Sequence, residues 1–180
     1  MTTYVALLRA VNVAGHARLP AAGLAKLFAA AGAADVVTFG HAGTVLFTTS
    51  RAAAKLVVTV RDAVADGFGE RPVIVLRTRR ELLDLTIAQP FDDCGAAPTD
   101  KLYVTFLARK PLRPPRLPLT SDLERLTAFE RRGREVLVVS ARKTNGFYGF
   151  PNAFVETAFG VAATTRNWST VTRLAALLAR

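Results

Sequence analysis

Arginine and threonine side chains near the C-terminus have types and spacing that point to phosphate chemistry. In "ATTRNWSTVTRLAALLAR" three arginines recur every seven residues, a spacing that brings side chains to nearly the same face of a helix. The pattern predicts a helix from about Thr165 to Leu178, capped by Thr164 or Thr165. Its arginine ridge, formed by Arg166, Arg173 and Arg180, is either a phosphate-binding surface or an ordinary solvated face.

A second cation, Arg9, lies near the end of the first predicted strand. A buried guanidinium must find an anionic or carbonyl partner, so Arg9 either ties down a neighbouring element or binds an anion. In the second interpretation it joins polar residues of the following loop and of the C-terminal segment in one small-molecule site for a phosphorylated or carboxylated metabolite. The anion-binding candidates are Arg9, Asn12, Gly15, Thr164, Thr165, Arg166 and Asn167.

The segment "ARKTNGFYGFPNAF" combines cations, glycines and aromatic rings. Asn145 and Gly146 favour a turn, and Pro151 favours the start of a helix, so the segment differs from an RNA-stacking strand. Arg142 and Lys143, with exposed aromatic rings as stacking groups, could contact a polyanion. The polyanion-surface candidates are therefore Arg142, Lys143, Arg173 and Arg180.

A further basic stretch, "KPLRPPRLP", is rich in proline. It resembles the PxxP ligands of aromatic-lined peptide-binding domains, but a stiff basic crossover between two strands is the favoured interpretation. The same segment could contact a phosphate backbone.

The motifs of common enzyme classes do not occur in the sequence. It contains no G-x-S-x-G, G-x-x-x-x-G-K-[ST], G-x-G-x-x-G or H-E-x-x-H pattern. His16 and His41 lie in separate predicted loops, and Cys94 is the one cysteine, so we expect neither a metal site nor a cofactor. Catalytic residues, a substrate and the oligomeric state stay open.

The charge balance favours an anionic partner. Lysine and arginine number 24 against 14 aspartate and glutamate, which gives a formal net charge of +10 and a pI near 10.8. Such a surface attracts nucleic acid or small anionic ligands. A GC-rich genome, whose proteins are rich in arginine and alanine, would produce a similar composition without any binding function. The apolar runs are too short to span a bilayer and the first residues lack a signal-peptide pattern, so we expect a soluble cytoplasmic protein.

The elements that must position these residues follow from hydrophobic periodicity. Residues 3–78 read as β-α-β-β-α-β, the order of a ferredoxin-like half. A turn-rich linker follows at 89–100. The segment 101–180 repeats β-α-β-β-α, with a short helix at "SDLERL", and ends in a helix instead of a strand. We therefore predict an α+β fold of two ferredoxin-like βαββαβ-type halves, 1–88 and 101–180, with antiparallel sheets and helices packed on them.

The motifs "YVALLRAVNVAG", "FGHAGTVLF" and "ATTRNWSTVTRLAALL" resemble those of a bacterial family, domain of unknown function 1697. The family pattern at the first strand is Leu-Arg-Gly-Ile-Asn-Val-Gly-Gly, of which this chain keeps Arg9, Asn12 and Gly15. The family's Gln-Ser-Gly-Asn at the hairpin is replaced here around Gly43 by His41, Ala42 and Thr44. The resemblance implies two ferredoxin-like halves packed together, but it does not identify a reaction.

Overall fold

The computed structural model describes residues 1–9, 19–40, 43–68 and 71–180. These residues form two compact units, 1–81 and 82–180. The predicted linker at 89–100 consists of turns and bends and belongs to the second unit.

The first unit is built around an antiparallel sheet whose described strands have the order β2-β3-β1-β4. Its elements are β1 (Thr2–Leu8), α1 (Ala21–Ala30), β2 (Ala34–Phe39), β3 (Thr44–Thr49), α2 (Ala53–Phe68) and β4 (Ile74–Thr78). Side chains alternate between the two faces of a strand, so Ala6 and Leu8 of β1 face the helices. They pack there with Phe28 of α1 and Val60 of α2 in one buried cluster.

A capping box starts the next helix, α3 (Arg79–Ile87). The Thr78 backbone N–H donates to Glu81 Oε2 at 2.7 Å, and the Glu81 N–H donates back to Thr78 Oγ1 at 3.2 Å. The reciprocal bonds satisfy two backbone donors that a helix N-terminus leaves without partners.

The second unit contains an antiparallel sheet in the order β6-β7-β8-β5-β9. Its elements are β5 (Lys101–Leu107), β6 (Leu119–Ser121), β7 (Leu126–Arg132), β8 (Glu135–Ser140), α4 (Asn152–Phe159), β9 (Ala163–Asn167) and α5 (Trp168–Leu178). The helix predicted at "SDLERL" is wrong, because β6 and a turn occupy these residues. The Glu124 N–H still donates to Ser121 Oγ at 3.4 Å, but such local bonds stabilise turns as well as helices.

The two units repeat one strand register. The fourth residue of β1 and of β5 is a valine, paired with a leucine on one side and an arginine on the other. These triplets are Val5, Leu46 and Arg77 in the first unit and Val104, Leu137 and Arg166 in the second. The predicted fold class, α+β with two ferredoxin-like halves, is confirmed, although a proline-rich segment stands in the second half where α1 stands in the first.

Candidate nucleic-acid interface

The segment from Thr164 to Asn167 is a strand and not the beginning of the last helix. β9 pairs with β5, and α5 begins only at Trp168, so the prediction that Thr164 or Thr165 caps a helix is wrong. β-branched threonines suit a paired strand, and pairing with a distant strand decides the outcome. The predicted arginine ridge is also wrong, because Arg166 belongs to the strand while Arg173 belongs to the helix.

Arg166 is buried, with 7% of its surface exposed. Its Nη1 donates to Thr164 Oγ1 and to the Thr165 carbonyl oxygen, both at 2.8 Å. Loss of hydration on burial lowers the pKa of Arg166 from its ordinary value to about 10, so the guanidinium stays charged at neutral pH. These hydrogen bonds compensate part of the cost of burying the charge.

The other predicted anion-binding residues of this segment also have internal partners. Thr165 Oγ1 lies 2.9 Å from Thr105 Oγ1 and donates to Asn152 Oδ1 at 3.2 Å, within the buried part of the second unit. The actual N-cap of α5 is Asn167, whose Oδ1 accepts from the Ser169 N–H at 3.0 Å. Thr164 is also buried, so the segment connects β9 with α4 and α5 through internal contacts.

Arg9 follows β1, and its backbone N–H donates to the Val73 carbonyl oxygen at 2.9 Å. Its side chain is half-buried. Asn12 and Gly15, as well as His16, His41 and Ala42, lie outside the described residues. The small-molecule site that would combine Arg9, Asn12 and Gly15 with the C-terminal segment therefore stays a prediction.

A buried arginine that sequence reasoning missed is Arg77, of which 1% is exposed. It occupies in β4 the register that Arg166 occupies in β9, and its Nη1 likewise donates to the carbonyl of the preceding residue, Leu76, at 2.7 Å. The common signal is an arginine followed by a capping residue, Thr78 or Asn167, at the end of a strand. A comparison of "LRT" at 76–78 with "TRN" at 165–167 could have identified Arg77 from the sequence.

The four polyanion-surface candidates differ in their surroundings. Lys143 forms an ion pair with Glu124, with Nζ 2.8 Å from Oε2, so its charge is already compensated. Arg142 is exposed and donates from Nε to the Gly146 carbonyl at 3.3 Å. Arg173 and Arg180 are exposed, the first on α5 and the second beyond its end.

The largest group of exposed cations lies in the segment 108–118, which we name the basic crossover. It carries Arg109, Lys110, Arg113 and Arg116, all exposed. In the part of the chain that the structure describes, none of these four has a hydrogen bond, an ion pair or a ring contact. No aspartate or glutamate occurs between Asp100 and Asp122 in the sequence, so no sequence-local acid is available to neutralise them.

The basic crossover is fixed to the sheet at both of its ends. At its start, the Ala108 N–H donates to the Ala162 carbonyl oxygen at 2.8 Å. Near its other end, Leu117 and the following Leu119 pack against the buried cluster of the second unit. The four prolines at 111, 114, 115 and 118 restrict the backbone between these points, so the cations are presented on a stiff segment.

A β-hairpin turn adds cations beside the start of the crossover. The Leu107 N–H donates to the Arg134 carbonyl oxygen at 2.8 Å, which places the turn between β7 and β8 next to the end of β5. The turn carries Arg131, Arg132 and Arg134, of which Arg132 pairs with Glu130 at 2.7 Å. This end of the sheet therefore has an excess of positive charge.

The described residues were also compared with the requirements of a metal site and of a membrane-spanning helix, and they meet neither. No group of three or more His, Cys, Asp or Glu residues there could hold a metal ion. None of the described helices combines the length and apolar character that crossing a membrane requires.

Comparisons with known proteins identify a family and support the fold. Among curated proteins no match was found. A solved structure, that of the conserved bacterial protein SP0830 from Streptococcus pneumoniae, is similar over 100% of this chain and 99% of its own, with a TM-score of 0.66 and 14% identity. The family described as Protein of unknown function (DUF1697) matches residues 1–137. The chain therefore belongs to the DUF1697 family.

Proposed function

We propose that this protein binds nucleic acid, without catalysing a reaction on it, through phosphate contacts of the basic crossover. The observation that carries the proposal is the set of four exposed cations on a stiff segment, none of them neutralised among the described residues. Exposed arginine and lysine bind phosphate oxygens and release condensed counterions, which makes the binding strongly dependent on salt.

The net charge supports the same proposal. A chain with a formal charge of +10 attracts polyanions over a distance of about one Debye length, about 8 Å at physiological salt. The crossover has no base-reading element such as a helix inserted in a groove, so its contacts carry no sequence preference. In this proposal the protein acts in the cytoplasm on RNA or DNA of any sequence.

The test is fluorescence anisotropy of a labelled single-stranded RNA and of a duplex DNA, each at 50 and 200 mM salt. A crossover variant replaces Arg109, Lys110, Arg113 and Arg116 by glutamine. A matched control replaces four exposed cations of the first unit, Lys26, Arg51, Lys55 and Arg71, in the same way. Both variants remove four positive charges, so an effect of net charge alone is equal in the two.

The crossover variant should bind more weakly and with a smaller salt dependence. If each cation contacts one phosphate, the slope of log K against log salt falls by about 3 for the single strand and about 4 for the duplex. The control should retain most of the wild-type slope. Equal losses in the two variants, or a wild type without salt-dependent micromolar binding, would refute the proposal.

A small-molecule alternative is tested with the same protein. Inorganic phosphate or a carboxylate that competes with the labelled RNA at low millimolar concentration, beyond its contribution to ionic strength, would favour a discrete anion site. Arg9→Gln should then abolish the competition, whereas the crossover variant should retain it.

A further inference from the structure

The loop 141–150, which we name the aromatic loop, is held in one conformation by its own backbone. The Gly146 N–H donates to the Lys143 carbonyl and the Lys143 N–H to the Phe147 carbonyl, both at 2.9 Å. The Phe147 N–H donates to Asn145 Oδ1 at 3.1 Å. Because these bonds fix the backbone of the turn, little backbone freedom is left to lose on binding.

Buried groups anchor the aromatic loop to the second unit. Ser140 is buried, and its hydroxyl donates to the Gly149 carbonyl at 3.0 Å. The Tyr148 hydroxyl donates to the Thr99 carbonyl at 2.6 Å, and Lys101 Nζ lies 4.3 Å from the centre of the Tyr148 ring. Tyr148 is therefore used for anchoring, which leaves the phenylalanines for other contacts.

The turn 122–125 joins the aromatic loop in one surface. The Ala141 N–H donates to the Arg125 carbonyl at 2.9 Å, and Lys143 pairs with Glu124. Gly149 lies so close to the Glu124 backbone that a side chain at this position would have no room. The two turns are thus fixed against each other.

This surface exposes large apolar side chains. Phe147 is 71% exposed, Phe150 is 58% exposed and Leu123 is 84% exposed. Phe150 has its ring against Tyr103 in an edge-to-face contact, with the ring centres 5.7 Å apart, whereas Phe147 has no ring contact within the described part of the chain. An aromatic ring with an uncovered face, carried on a hydrogen-bonded backbone, is suited to stacking.

The charges around these rings are positive on balance. Exposed cations are Lys101, Arg125 and Arg142, the carboxylate of Glu124 is paired with Lys143, and Asp122 of the turn 122–125 is an exposed carboxylate. Asp100 accepts from the Ala97 N–H at 2.9 Å, which compensates part of its charge. Arg142 is bonded through Nε to the loop itself, so its terminal guanidinium nitrogens are available to a phosphate beside Phe147.

We infer that the aromatic loop is a base-stacking site for single-stranded nucleic acid. An unpaired base stacks on Phe147 while Arg142 contacts an adjacent phosphate. In a duplex the faces of the bases are covered by their neighbours, so the ring can contact only unpaired nucleotides. Because stacking uses the π-face that every base has, the site discriminates strandedness and not sequence.

This inference goes beyond the phosphate contacts proposed above and is carried by other residues. The aromatic loop follows Ser140 at the end of the sheet where β5 begins, whereas the basic crossover leaves β5 at its other end. A strand of this length spans about 20 Å. The two surfaces therefore contact different nucleotides, and either can fail while the other stands.

The experiment compares labelled ten-nucleotide strands, uridine and thymidine homopolymers, with strands of equal length and charge whose central bases are replaced by abasic sites. Phe147→Ala should lower the affinity for the intact strands by about 5- to 150-fold and leave duplex DNA within about twofold. Phe147→Trp should restore binding. The matched control is Leu123→Ala, which removes an equally exposed apolar side chain from the same surface.

The outcomes separate the two proposals. Stacking is supported if Phe147→Ala binds the intact strands more weakly than the wild type does, and if the wild type binds the abasic strands more weakly than the intact ones. The intact homopolymer that binds more tightly tells whether the site prefers RNA or DNA. A loss of intact and abasic strands alike in the crossover variant reports on the phosphate contacts. If Phe147→Ala binds the intact strands as the wild type does, or if the wild type binds abasic strands equally well, the inference is wrong and the surface is left for a protein partner.

Discussion

Replacement of Gly149 by alanine should displace the aromatic loop. An alanine Cβ would lie 3.1 Å from the carbonyl carbon and the Cβ of Glu124, and closer still to the Glu124 carbonyl oxygen. The carbonyl carbon and oxygen of Glu124 belong to the backbone, which cannot rotate away as a long side chain can. The turn 122–125 and the loop must therefore separate.

The magnitude follows from two contributions. Forcing extra volume into a packed site costs about 1–3 kcal/mol. Separation also breaks the bond from the buried Ser140 hydroxyl to the Gly149 carbonyl, and a buried donor left without a partner costs about 1–3 kcal/mol more. The expected loss in the free energy of unfolding is thus about 2–6 kcal/mol, a large part of the stability of an ordinary domain.

The assay is urea unfolding followed by tryptophan fluorescence. Trp168, the one tryptophan of the chain, lies in the second unit with its ring 5.1 Å from that of Phe91, so its emission reports on the unit that contains Gly149. Gly67→Ala is the matched control, read by circular dichroism. Among the described residues, no atom other than those of its chain neighbours and its own helix backbone lies within 4 Å of the Cβ position at Gly67, and alanine near the end of α2 should be neutral or stabilise it by up to about 1 kcal/mol.

An unchanged urea midpoint in Gly149→Ala would refute this reasoning, since it would mean that the two turns move apart without cost. The same variant should weaken single-strand binding as Phe147→Ala does, because the ring would lose its fixed position. If Gly149→Ala lowers stability but keeps the full affinity for single strands, the contact between Gly149 and Glu124 stabilises the fold without being needed for stacking.

Two further predictions concern the junction of β9 and α5. Burial lowers the pKa of Arg166 to about 10 in the folded chain, below its ordinary value in the unfolded chain, so the unfolded state binds more protons between pH 9 and 11 and stability rises across this window. Relative to Arg166→Met, the wild type should therefore gain about 1 kcal/mol between pH 9 and 11, measured by urea unfolding, and a difference independent of pH would contradict the assigned pKa. Asn167→Ala should lower the free energy of unfolding by about 1 kcal/mol through loss of the cap of α5, whereas Asn167→Asp should retain it, and equal thermal midpoints in both variants would show that the cap contributes nothing.

Hydrophobic periodicity was sufficient to predict the element order of the first unit, because its elements are decided by local patterns. β9 was missed for the opposite reason. Its segment "ATTRN" is short and mostly polar, and it forms a strand only because β5, which lies about sixty residues earlier, provides a pairing partner. The helix predicted at "SDLERL" was wrong although its local hydrogen bond at helical spacing is present, because pairing of β6 with β7 decided the structure.

The candidate surfaces were predictable only in part. The sequence shows that the basic crossover contains no acid, but hydrogen bonding and exposure of its cations depend on where the chain places distant groups. Lys143 illustrates this dependence, since its partner Glu124 lies nineteen residues away and removes it from the free cations. Phe147 and Phe150 gave the same signal as core aromatics in the sequence, because exposure is a tertiary property.

The repeated register of the two units bears on the role of the buried arginines. Arg77 and Arg166 face a valine at the same position of equivalent strands, donate to the preceding carbonyl and are followed by a helix cap. A ligand site needs such an arrangement once, whereas a structural device that joins the last strand of a half to the next helix is needed in both. The repetition therefore argues that Arg166 stabilises the fold, and it directs the search for an anion away from "TTRN" and toward the exposed cations of the basic crossover and the aromatic loop.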